Sequence, residues 1–130
     1  MFKILFFLIS DAFCGLSLNA KLLNKRGMDH GFIIETETQF IKEFNGTRPI
    51  RFKTKNGINI ELVANFLDTN ETYGPSDSVI FKGDLFDNAG KPMNIFGNKP
   101  VVLKLGQEKK FEIKRGKGQI LEFTIKPEVN

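Results

Sequence analysis

From Arg48 onward, apolar and polar residues alternate in short runs. Ile50 and Phe52 interleave with Arg51 and Lys53, which is the in-and-out spacing of a half-buried strand. Lys55-Asn56-Gly57 follows. Asn-Gly between two alternating runs predicts a hairpin with a type I′ turn, because both residues tolerate a positive φ. Beyond it, Ile58, Ile60, Leu62, Ala64 and Phe66 share one face, and Asn59, Glu61 and Asn65 share the other. Asp68 to Asp77 has loop composition. Ser78 to Phe86 returns to strand spacing with Val79, Phe81 and Leu85 on one side, and Gly83 marks a bulge or a close backbone approach. Asp87 to Pro92 is a turn by composition. Strands are expected at Val101 to Leu105, Lys109 to Lys114 and Gln119 to Lys126, the last two joined by Arg115-Gly116-Lys117-Gly118. In Phe32 to Phe44 two periods compete. Phe32 to Glu37 is extended, whereas Phe40, Ile41 and Phe44 have helical spacing, so the segment reads as a strand followed by a second strand or a short helix.

Seven to eight short strands linked by Gly, Asn and Pro turns predict an all-β fold, either an antiparallel β-sandwich or a small β-barrel. The run Phe81-Lys82-Gly83-Asp84-Leu85-Phe86-Asp87-Asn88-Ala89-Gly90-Lys91-Pro92, followed by Val101-Val102-Leu103, resembles the strand, Asp-x-x-Gly-Lys-Pro turn and strand of bacterial immunoglobulin-like domains. That resemblance implies an immunoglobulin-like sandwich and a non-catalytic adhesion or spacer role.

The N-terminus has a different character. Met1-Phe2-Lys3 precedes an apolar run, Ile4 to Ile9, which resumes after Ser10 and Asp11 as far as Leu18. This is the layout of a secretory signal peptide, with cleavage expected after Ala20 and a rival position after Ser17. The run is too short to span a bilayer as a helix. Removal of residues 1–20 leaves one domain over 21–130, secreted or periplasmic. The competing reading of this segment is a buried first strand or helix. Lipid attachment at Cys14 is opposed by Phe13 and Asp11 just before it. The only cysteine leaves with the leader, so the fold must stand on its core without disulfides. Asn45-Gly46-Thr47 and Asn70-Glu71-Thr72 have the form of glycosylation sequons.

A length of 130 residues fits one domain, and the net charge of +4 is unevenly spread. Arg48, Arg51, Lys53 and Lys55 come without an acid, residues 61–87 are acidic, and the chain from Lys99 is basic. Strand pairing across Asn56-Gly57 sets Arg51, Lys53 and Lys55 near Asn59 and Glu61, so these charges read as solvated strand faces rather than an anion site. The chain has 14 Phe, one Tyr and no Trp. The phenylalanines outside the leader fall mostly at inward strand positions, which leaves little aromatic surface for stacking on sugars or bases and argues against a nucleic-acid partner.

Catalytic equipment is sparse. His30 is the only histidine, and Ser76 and Ser78 are the only serines past the leader. No nucleophile motif accompanies them. One histidine does not make a zinc site, and no cofactor is expected. Glu61, Asp68, Asp84 and Asp87 are the carboxylates for a hydrolase reading. The acidic loop with Asp68, Asn70, Glu71, Tyr73 and Asp77 is the candidate recognition loop or weak Ca²⁺ site, although it lacks EF-hand spacing. The simpler reading, and the preferred one, is an inter-strand loop whose polar side chains satisfy its own turns. The expectation is an exported, non-enzymatic β-sandwich that binds another protein or forms part of an envelope or surface assembly. A secreted protease inhibitor acting through that loop, and a small carboxylate hydrolase, are the alternatives.

Overall fold

A computed structural model describes residues 16–44, 48–66 and 78–129. They form eight strands: β1 (Leu16–Met28), β2 (Gly31–Glu43), β3 (Ile50–Lys53), β4 (Asn59–Phe66), β5 (Ser78–Phe86), β6 (Val101–Lys104), β7 (Lys109–Arg115) and β8 (Gln119–Val129). Two four-stranded sheets result, sheet A in the order β2-β1-β8-β7 and sheet B in the order β3-β4-β5-β6. Every pairing is antiparallel. Neighbours in a sheet are neighbours in the chain, except that β8 closes against β1. The chain changes sheet between β2 and β3 and again between β6 and β7. Neither of those pairs is hydrogen-bonded, so the fold is a sandwich and not a closed barrel.

Period-two alternation makes the core. Leu18, Ala20 and Leu22 of β1 and Leu121, Phe123 and Ile125 of β8 face Ile60, Leu62 and Ala64 of β4, Val79, Phe81 and Leu85 of β5, and Leu103 of β6. Burying each of the larger side chains contributes about 1.5–3 kcal/mol. Aromatic pairs close both seams. Phe40 stacks on Phe52 at 4.3 Å between β2 and β3, and Phe96 meets Phe111 edge-on at 4.8 Å beside β7.

The position expected for cleavage, after Ala20, lies within β1. Leu16 to Ala20 pair with β8 on one side, Ser17 to Ala20 pair with β2 on the other, and Leu16, Leu18 and Ala20 are buried. Phe32 to Phe44 does not break into two elements and contains no helix. β2 is one strand that buries Phe40 and leaves Ile41 63% exposed, and Phe44 is buried just beyond its end. The hairpin after β3 has a three-residue loop. Thr54 N–H donates to the Ile58 carbonyl, Gly57 N–H donates to the Thr54 carbonyl, and only Gly57 takes a positive φ. The Thr54 hydroxyl also accepts the Ile58 N–H, which favours this turn over type I′. Its register still sets Arg51 opposite Glu61 and Lys53 opposite Asn59. Finally, most phenylalanines beyond the leader face the core as expected, but Phe66, expected on the inward face with Ile58 to Ala64, is exposed, as is Phe32.

Candidate functional site

The expected recognition residues Asp68, Asn70, Glu71, Tyr73 and Asp77 lie outside the described residues, as do Ser76, both sequon asparagines and Cys14. His30 is exposed in the turn between β1 and β2. Glu61 and Asp84 sit directly opposite one another on β4 and β5. Their surroundings differ. The Asp84 carboxylate accepts backbone N–H groups from Leu85 at 2.8 Å, Asn94 at 2.8 Å and Ile95 at 2.9 Å, which pins the loop before β6. Asp87 likewise accepts from Ala89 and Lys91, both at 2.9 Å, and organises the turn expected there. Both aspartates are thus committed to turn geometry. Among the described residues, no group of three or more His, Cys, Asp or Glu side chains is placed to hold a metal ion.

On the outer face of sheet A a shallow trough of about 270 Å³ is lined by Lys21, Lys110 and Lys126 together with Asn19, Gln39 and Thr124. Its charges are largely answered from within. Glu122, buried at the floor, binds Lys25 at 2.6 Å and Lys110 at 3.6 Å, and Lys126 pairs with Glu128 at 3.2 Å. Burial pushes the Glu122 carboxyl up, but the hydrogen bond and charge of Lys25, the Lys110 ammonium and a hydrogen bond with Glu112 outweigh it and hold the group below its ordinary range. The trough is a polar lattice that holds the sheet together.

The β1–β2 hairpin offers the more distinctive surface. All seven residues from Gly31 to Glu37 are exposed. Met28, Phe32, Ile33, Ile34 and Ile41 belong to this hairpin and make up five of the eight large apolar side chains exposed among the described residues. Grouped exposure of this kind marks an interaction site, whereas isolated apolar residues do not. Arg26 clamps the hairpin by binding Glu35 at 2.7 Å, and Glu35 also accepts from Gln119 at 3.3 Å. Glu35 is the extra residue of a bulge, since Asn24 pairs with Thr36 and Lys25 with Ile34. β2 is also an edge strand whose outer side pairs with no strand among the described residues. The sequence signal was Phe32-Ile33-Ile34 before the alternating Glu35-Thr36-Glu37-Thr38, but nothing in that run says it lies at a sheet edge. Against family models, curated proteins and solved structures alike, the chain has no match.

Proposed function

We propose that this chain is an exported, non-enzymatic β-sandwich that acts as a protein-binding or surface structural module, with the outer edge of β2 as its binding element. The observation that carries the reading is the coincidence of a strand edge that pairs with no strand among the described residues with Phe32, Ile33, Ile34 and Ile41, all exposed on one strand. An extended segment of a partner satisfies the backbone groups of such an edge, while alternate side chains give selectivity. Export is the expectation from the apolar N-terminus. The absence of an enzymatic role is supported by Asp84 and Asp87 being bound to backbone N–H groups.

The test is a photoreactive side chain placed at Ile34 or Ile41, with Lys126 on the sheet face as control, in the protein produced in its own cells. Protein adducts at the two β2 positions and not at the control support the reading. Adducts that are equal at all three positions, or none at β2, overturn it.

A further inference from the structure

We propose that the segment received by β2 is β7 of a second copy of this chain, so that sheet A joins sheet A head to tail. This rests on the reading of β2 as a binding edge and names its partner. The first argument is directional. Sheet A has four strands, each antiparallel to the next, so its two edges, β2 and β7, run in opposite directions. A copy displaced sideways in the plane of the sheet brings its β7 alongside β2 in the antiparallel sense, with the core faces of both sheets on the same side. No rotation of the copy is needed beyond the ordinary twist between strands.

The second argument is charge. On the outer face of sheet A β2 carries Glu37 and Glu43 and no basic residue, since Lys42 is on the core side and Glu35 is bound to Arg26. On the same face β7 carries Lys110 and Lys114 against Glu112, while Lys109 and Arg115 are on the core side with Phe111 and Ile113. Like charges directly opposed across a strand pair are destabilising and opposite ones are favourable. On the outer face only β2 with β7 joins a net acidic strand to a net basic one. The lysines of β7 therefore guard that edge against its own kind while leaving it open to an acidic strand. Sheet B offers no equivalent, because its edges β3 and β6 have only four residues each, against 13 for β2 and seven for β7. A contact between two different patches does not close on itself as a two-fold dimer does, so the product is a ring or an open filament.

Sedimentation of the full chain over a range of concentrations tests this. The expected result is association beyond the dimer that weakens as salt rises from about 50 to 500 mM, because the selecting contacts are exposed charges. Two variants sharpen it. Glu37→Lys with Gln39→Lys makes the outer face of β2 basic, and Lys114→Glu makes that of β7 acidic. Each alone is expected to associate roughly tenfold more weakly or worse. Mixed in equal amounts they co-assemble, since the basified β2 meets the acidified β7 and the two unaltered edges meet each other. Restoration on mixing also shows that both variants are folded.

The proposal is overturned by a wild-type chain that stays monomeric, by association indifferent to both variants, or by a mixture that fails to recover. A wild type that stops at a dimer, is lost in Glu37→Lys with Gln39→Lys and is untouched by the β7 change overturns it in favour of symmetric β2 pairing. If the wild type is monomeric while Ile34 still cross-links to a different protein, the partner alone is wrong. If both experiments are negative, the binding edge itself falls.

Discussion

Lys25 Nζ lies 2.6 Å from Oε2 of Glu122, a carboxylate only 5% exposed although it is on the outer face of sheet A. Because the folded state holds Glu122 below its ordinary value of 4.5, the contact contributes fully above that value and is lost as pH falls through the folded-state value. Glu122→Gln is therefore expected to lower stability at neutral pH and to flatten the acid limb of the stability curve. Lys25→Met leaves a buried carboxylate with Lys110 as its remaining cation, at an expected cost of about 2–3 kcal/mol. Urea unfolding of the three proteins between about pH 3 and 7 reads both effects. Parallel pH profiles for wild type and Glu122→Gln contradict this account.

The start of β1 sets a limit on where any processed form begins. Leu16, Leu18 and Ala20 are buried, and Leu16 to Ala20 hydrogen-bond within the centre of sheet A. Loss of two core leucines alone costs roughly 4–10 kcal/mol, which is comparable to the whole stability of a domain this size. A chain that starts at Lys21 is expected not to fold cooperatively, whereas one that starts at Leu16 does. Circular dichroism melting of the two distinguishes them, and N-terminal sequencing of the protein from its own cells is expected to give a residue at or before Leu16.

The same five residues show where sequence reading stops. Leu16, Leu18, Ala20 and Leu22 alternate as a strand should, but an apolar run upstream hides the period, and an export signal and a core strand both demand apolar side chains. Ile50 to Phe66, Ser78 to Phe86 and Lys109 to Lys126 were legible because each has one wet face, so inward and outward positions differ in polarity. β2 was harder. Its N-terminal half is exposed on both faces, so its apolar residues follow no core period. That it lies at the edge of sheet A follows from β8 pairing with β1, a contact between the two ends of the fold that no local pattern encodes.

Gly83 illustrates a constraint the sequence did announce. A Cβ built there collides with the Glu61 carbonyl oxygen and lies 2.9 Å from Leu62 Cα, both backbone atoms of the paired strand, and the φ of +134° already disfavours any L side chain. Gly83→Ala forces β4 and β5 apart at the centre of sheet B. The expected loss exceeds about 4 kcal/mol, which is rare for a single added methyl group. Gly90→Ala is the control, because its φ is also positive but its Cβ meets nothing within 4 Å. It is expected to cost only about 1 kcal/mol. Similar midpoints for the two variants in chemical denaturation rule out the close approach as the cause.

Asp84 links a surface carboxylate to the core. By accepting the N–H groups of Asn94 and Ile95 it fixes the loop that carries Ile95 and Phe96 inward, where Phe96 packs on Phe111 of β7 and lies 6.4 Å from Phe123 of β8. Asp84→Ala leaves those donors without their acceptor and releases the anchor of Phe96, at an expected cost of about 2–4 kcal/mol. Asp84→Asn keeps one acceptor oxygen and is expected to lose about half as much. If the carboxylate acts by placing the ring, then Asp84→Ala and Phe96→Ala report on one structural unit. The double variant is then less destabilised than the sum of the singles by at least about 1 kcal/mol. Strict additivity in that cycle, measured by urea unfolding, means that Asp84 holds the loop without holding Phe96, and that the β6–β7 seam is closed by ring packing alone.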